Sequence, residues 1–461
     1  MTLITDVVTG RALSFVLFPH QTRARALARD AFRSGKRAIL YVAPTGAGKT
    51  VILGDTIASH LRNLEGARVN VYAHRRELLT QAARTFRSFG LDVGIFGEGA
   101  RHPVQVLSTQ GALAKGEVNA CTLAVFDEAH HYASDEWKTV LDAHREAGAT
   151  VCGATATPER ADGRALDFFD HIVVVAQPRE LVASGALVPC EVIKPSRPVP
   201  KGKIAESPAV AYRRFAQGRR AIVFAPNIRA AEDFAKDFVK SVVVHGKLSA
   251  DERDHRFKLF ESGQVPVLVN VAIATEGYDC PAADVCILAR DCGSTGLFLQ
   301  CVGRVMRPAP GKKDCLLIDL RGTSEAHGHP QEDREYSLEG IGISSSGAGL
   351  AGVLERLCRL CKKPLDENLV CTGCGRDHTP GTPEAAGIAL ERWAGKRRDD
   401  DDARIAQLAR WFAKFPGRKS WFYMYRYKAV YSHTPPGHIW REAQRQCGEK
   451  NSAGSGSGGG A

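Results

Sequence analysis

"APTGAGKT", residues 43–50, stands between a β-rich run, "AILYV" (38–42), and a stretch of helical periodicity, "VILGDTIASHL" (51–61). A glycine-rich turn joining strand to helix aims backbone N–H groups at the mouth of the helix, which favours phosphate. Gly46 and Gly48 let the backbone through Thr45 and Ala47 curl around such a group. Lys49 then reaches the β- and γ-phosphates of ATP, and the Thr50 hydroxyl offers an oxygen to Mg²⁺. Ala43 departs from the strict pattern, which has glycine there. Such a loop needs a carboxylate at the end of a neighbouring strand to hold the metal. "TLAVFDEAHHY", 122–132, supplies one, because an apolar run ends there in two acids. Asp127 is the expected Mg²⁺ ligand and Glu128 the group that polarises the attacking water. His130 lies two residues on, toward the γ-phosphate; His131 is given no role.

Working outward, short β-rich runs alternate with helical or polar stretches: "RVNVYAH", "VQVLST" and "TVCGATAT" continue the series begun by "AILYV". A second series follows: "RRAIVFAPN", "SVVVHG", "VPVLVNVA", "DVCILAR" and "DCLLIDL". Strands alternating with helices predict parallel sheets covered on both faces. The fold class is therefore α/β, in two tandem domains over 1–193 and 204–343, joined by the proline- and lysine-rich 194–203. A small cysteine module is expected over 353–380, a basic aromatic region over 403–447, and a disordered Gly/Ser tail over 448–461.

The chain has 461 residues, 44% hydrophobic and 25% charged, the balance of a soluble globular protein of more than one domain. No apolar run is long enough to span a membrane, and no signal peptide is evident, so a cytoplasmic protein with no membrane partner is expected. Nine of thirteen cysteines are scattered singly through apolar stretches, as free thiols of a reducing compartment are. Net charge is +11, and residues 403–447 alone carry nine Lys/Arg against one acid, Glu442. A basic tail on a nearly balanced body points to a polyanion partner.

With 43–50 and 127–130 in hand, the chain resembles a superfamily 2 helicase of the DExH type. The resemblance runs through most of 15–325 and implies two RecA-like domains with ATP between them. "FPHQ" (18–21) resembles the element whose glutamine, Gln21, reads adenine. "YAHRREL" (72–78) and "STQ" (108–110) resemble motifs that contact the nucleic-acid backbone, implicating Arg75, Ser108, Thr109 and Gln110. "ATATP" (154–158) resembles the motif coupling hydrolysis to motion. "AIVFAPN" (221–227) resembles motif IV, with Asn227 toward nucleic acid. "VNVAIATEGYDCP" (269–281) resembles motif V, with Thr275 toward nucleic acid and Gly277 and Asp279 toward nucleotide. "QCVGRVMRP" (300–308) resembles motif VI. In a helix Gln300, Arg304 and Arg307 share one face. An arginine presented across a cleft neutralises charge on a transferring phosphoryl group. The second-domain stretches look most like bacterial RadD-type repair ATPases and related phage DEAD/DEAH helicases.

"CRLCKKPLDENLVCTGCGRD" spaces Cys358, Cys361, Cys371 and Cys374 as two C-x-x-C knuckles. This matches a closed, structural zinc site; a redox pair or two disulfides are the alternatives. Beyond it, "WFAKFPGRKSWFYMYRYKAVYSH" (411–433) interleaves aromatics with cations. Such rings stack on unpaired bases, or form the core of a small helical domain. The expected activity is an ATP-dependent DNA helicase or translocase using ATP, Mg²⁺ and structural Zn²⁺, in a bacterial nucleoid or a phage-infected cell. The alternatives are an RNA helicase and a non-motor nucleic-acid-annealing protein with a vestigial ATP site.

Overall fold

The apolar runs become strands buried on both sides, so they show no polar alternation. In the first sheet, every residue of β1 (Ala38–Val42), β2 (Val69–Ala73) and β5 (Leu123–Phe126) is buried. β3 (Val93–Ile95), β4 (Val104–Ser108), β6 (Thr150–Thr155) and β7 (His171–Val174) complete it. The order is β3-β4-β2-β5-β6-β1-β7, with all neighbours parallel. Helices α1 (Pro19–Arg33), α2 (Lys49–Asn63), α3 (Arg76–Ser88) and α4 (Asp135–Glu146) connect and flank these strands. The structure, a computed structural model, describes residues 17–73, 76–95, 102–108, 120–129, 135–158, 166, 168–271, 278, 280–338 and 381–393.

α5 (Pro178–Ala183) leads to the second sheet, formed by β8 (Cys190–Pro195), β9 (Ala221–Phe224), β10 (Ser241–Val244), β11 (Val267–Asn270), β12 (Val285–Leu288), β13 (Cys315–Asp319) and β14 (Leu390–Trp393). Its order, β10-β11-β9-β12-β13-β8-β14, repeats the first sheet's strand for strand. Only β14 runs antiparallel, on β8. α6 (Pro208–Phe215), α7 (Ile228–Lys236), α8 (Ala250–Glu261), α9 (Thr295–Gly303) and α10 (Thr323–His327) belong to this half.

Two boundaries differ from those the sequence suggests. "CEVIKP" is β8 of the second sheet, so that domain begins before 194; the proline-rich 196–203 is a connection inside it. Residues 381–393, beyond the cysteine module, return to the second domain. Ala385 bridges Ile204, and β14 closes the sheet edge. Neither return carries a local signal, because the pairing partners lie far away in sequence.

The two halves are tied together. One apolar cluster runs from Ile39 and Val71 through Leu181, Leu187 and Val188 to Cys286 and Phe298. A strap after α10 crosses back to the first domain. Gln177 and Arg334 exchange hydrogen bonds (Nε2 to carbonyl 2.8 Å, N–H to Oε1 3.1 Å), and Leu166 N–H donates to the Leu338 carbonyl at 2.8 Å. Among the described residues, no helix is long and apolar enough to cross a membrane.

Candidate nucleotide site between the two sheets

The phosphate-type loop leaves β1 and opens α2, with Gly48 as its N-cap. Gly46 and Gly48 have φ of 92° and 79°, a region only glycine enters at little cost. A Cβ on Gly48 would collide with the Gln21 amide. The backbone thus curls as the glycine spacing requires, and Lys49 and Thr50 begin the helix. The N–H groups of the loop and of the first helical turn form a cradle shaped for phosphate.

Gln21, buried on α1, ties the cradle to the chain entry. Its Oε1 accepts from Phe18 N–H at 3.0 Å, and its Nε2 donates to the Ala47 carbonyl at 3.1 Å. His20 Nε2 donates to the same carbonyl at 3.3 Å. Burial holds the His20 pKa below the ordinary histidine value, against the opposing pull of that carbonyl. His20 was not singled out by sequence; its only signal is adjacency to Gln21.

Asp127 and Glu128 follow β5 directly. Asp127 Oδ1 accepts from Glu128 N–H at 2.9 Å, and Glu128 has φ of 49°, the one positive non-glycine φ among the described residues. That strained backbone turns the Glu128 side chain back toward the loop. Lys49 Nζ lies 3.2 Å from Glu128 Oε1. The strand-end carboxylates and the loop lysine therefore share one half-buried place. A glycine cradle beside two carboxylates and a hydroxyl fits a phosphate–magnesium group.

The second domain meets this place through α9 and the turn after it. Gln300 is buried on α9, but the helix ends at Gly303, so Arg307 does not continue the face expected from i, i+4, i+7 spacing. A tightened turn, Val305 N–H to the Val302 carbonyl at 3.0 Å, redirects the chain. The two arginines consequently part. Arg304 is buried and donates from Nη1 to the Tyr278 carbonyl at 2.6 Å, within its own domain. Arg307 comes against the P-loop: its Cγ is 4.0 Å from where a Gly46 Cβ would stand. Leu187 sits over the same glycine, and Val188 N–H donates to the Met306 carbonyl at 2.8 Å, so the inter-domain segment touches both loop and arginine turn.

Other expected contacts fall elsewhere. Ser108 ends β4, half-buried. The Asn227 side chain caps α7, accepting from Ala230 N–H at 2.8 Å. Arg75, Thr109, Gln110, His130, Thr275, Gly277, Asp279, the cysteines at 358, 361, 371 and 374, and the basic tail lie outside the described residues. Sequence reasoning did not single out Lys312. Its half-buried ammonium donates to the carbonyls of Pro281 and Ala283 at 2.9 and 2.6 Å, and desolvation lowers its pKa.

Two protein families match this chain. "Type III restriction enzyme, res subunit" covers residues 14–160 and "Helicase conserved C-terminal domain" covers 206–309, together more than half of the chain. A "51.5 kDa protein" of a Lactococcus phage is 29% identical over 363 residues, 72% of this chain and 77% of that protein. The "Putative ATP-dependent helicase IRC3" of Saccharomyces cerevisiae is 27% identical over 359 residues, 67% of this chain. The match spans 52% of that yeast protein, about half its length. The fragment structure of a putative HsdR subunit of a type I restriction enzyme from Vibrio vulnificus superposes with a TM-score of 0.54. It is 21% identical, with 70% of this chain and 68% of that one covered, which shows a shared fold.

Proposed function

The chain belongs to the superfamily 2 helicases, a family of nucleic-acid-dependent ATPases, and on that premise we propose that it hydrolyses ATP between its two sheets to move along or remodel DNA. One observation carries this reading: the Arg307 side chain of the second domain packs at Gly46 of the glycine loop of the first, the same loop whose Lys49 pairs with Glu128. In the roles we assign, the loop N–H groups and Lys49 bind the phosphates. Lys49 leaves Glu128 for them, which frees that carboxylate to orient water. Thr50 and Asp127 are the residues that would hold magnesium, which when bound neutralises phosphate charge. Arg307 stabilises charge developing on the transferring phosphoryl group, and Arg304 fixes the turn that presents it.

DNA is favoured over RNA by the match to a restriction-enzyme subunit and by the RadD-type resemblance. A role in repair, recombination or replication, in a bacterial or phage-infected cell, belongs to the same proposal. So do one structural zinc on Cys358, Cys361, Cys371 and Cys374, and DNA contact by the basic tail. The test is ATP turnover titrated with single-stranded, duplex and forked DNA beside RNA. DNA stimulation is expected; equal turnover without nucleic acid would overturn the motor reading, and stimulation by RNA alone would move the substrate. Removing residues 394–461, which spares β14, should leave basal turnover in place. It should also flatten the salt dependence of DNA binding, by about 0.9 in slope for each phosphate that the tail neutralises. An unchanged slope would remove the tail from the DNA site.

A further inference from the structure

α9 meets the first domain through two glycines, Gly296 and Gly303, seven residues apart on one helical face. A Cβ on Gly303 would stand 2.6 Å from Thr45 Cβ, in the P-loop. A Cβ on Gly296 would stand 2.6 Å from Thr157 Oγ1, in the "ATATP" stretch after β6. β1 and β6 are neighbours in the first sheet, so α9 straddles two adjacent strand ends. Gly303 falls within the motif VI stretch; Gly296 lies outside every stretch given a role.

Nothing local to α9 asks for glycine at 296. The helix is already capped by Ser294, whose hydroxyl accepts from Leu297 N–H at 3.2 Å. Gly296 has ordinary helical backbone, and glycine weakens a helix relative to alanine. Thr157 is buried at 2% exposure and β-branched, hence stiff. Its backbone is held as well, with N–H donating to Thr155 Oγ1 at 3.3 Å and its carbonyl accepting from that hydroxyl at 2.6 Å. Thr157 therefore has little room to yield. A methyl group at 296 would push the domains apart by roughly an ångström before normal contact was restored.

We propose that Gly296 is a positioning residue for cleft closure: its bare Cα is a notch that seats Thr157, letting α9 lie flat enough for the Arg307 turn to reach the P-loop. This rests on the reading that Arg307 acts across the cleft. It differs from packing in general because helix stability and turnover should move in opposite directions.

The test uses full-length Gly296→Ala with a fluorescent donor on one domain and an acceptor on the other. The melting temperature should hold or rise, ATP-analogue affinity should stay within about twofold, and kcat should fall by about tenfold or more with KM little changed, since an ångström of misplacement costs up to ~10²-fold. The inter-domain distance should lengthen. Adding Thr157→Ala, which removes the obstructing oxygen, should bring the distance back whether or not turnover follows. Wild-type turnover and distance in Gly296→Ala would overturn the proposal, as would a distance that Thr157→Ala fails to restore. Arg307→Ala is measured alongside. If it alone turns over normally, the cross-cleft reading fails, while the distances still decide the notch.

Discussion

The two sheets share one strand order and differ in what stands at the strand ends. β1 runs into "APTGAGKT"; its counterpart β8 runs into "SRPVPKGK", with no glycine cradle. β5 runs into Asp127 and Glu128, which sit with Lys49 at the cradle. The first acid after β12, the counterpart of β5, is Asp291, held in a fork by Arg321 at 2.8 and 2.7 Å. In the proposed site one half keeps its strand-end charges for a ligand; the other commits them to its own architecture. What the second half would give that site comes from a helix terminus, the turn carrying Arg304 and Arg307. A duplicated frame thus leaves chemistry to loops, and geometry between halves to α9.

The largest test of that division is Arg307→Ala. It should lower turnover by ~10³-fold with nucleotide affinity nearly kept, as loss of an arginine supplied across a cleft does. Turnover near wild type would make the second sheet a passive lid. On the first sheet, Glu128→Gln should bind ATP yet hydrolyse it at least ~100-fold more slowly. Single-turnover kinetics would separate that from slow product release, and a normal chemical step would strike Glu128 from the site.

The sequence made the first half more legible than the second, for a physical reason. A phosphate cradle needs glycines and a lysine at fixed local spacing, so 43–50 and 127–128 announce themselves. The ten strands read from sequence all form. β8 escaped because "CEVIKP" is followed by prolines that read as a linker, although its partner β13 lies more than a hundred residues on. The helical spacing of Gln300, Arg304 and Arg307 misled because α9 stops at Gly303. Nothing local to the sequence showed that Arg304 turns inward to Tyr278 while Arg307 faces the loop. Gly296 was invisible because its reason is a threonine in the other domain.

The halves should behave alike toward acid. His144 lies beneath the first sheet, its Nε2 2.7 Å from the Tyr72 hydroxyl, and burial lowers its pKa to about 4. His329 packs beside Trp393 of β14, and burial, with Arg334 and Arg179 near, lowers its pKa to about 4. Both rings are neutral when folded, whereas an unfolded histidine takes up a proton near 6.5. Stability is therefore full above pH 6.5 and falls as pH drops from about 6.5 to about 4, by at most about 1.4 kcal/mol per pH unit for each ring. Thermal melts across that window should show the loss, and His329→Asn should make it shallower. An unchanged slope would mean that the ring is not held neutral.

The smallest expected effect is the sharpest contrast. Asp127→Asn removes charge where a metal and phosphates would gather; Asp291→Asn removes charge from the matching strand end in the other sheet. Asp291 is 71% exposed, but Arg321 is 8% exposed and bonded also to the Pro200 carbonyl at 3.3 Å. Losing the fork should cost about 1 kcal/mol, because an exposed carboxylate gives little while a covered guanidinium resists losing its partner. Turnover should stay within about twofold, since Asp291 is held by Arg321 of its own domain and distant sites act independently. A large loss of turnover with a small loss of stability would show that the second sheet's strand ends also serve the ligand, and the division between the halves would have to be redrawn around Asp291 and Arg321.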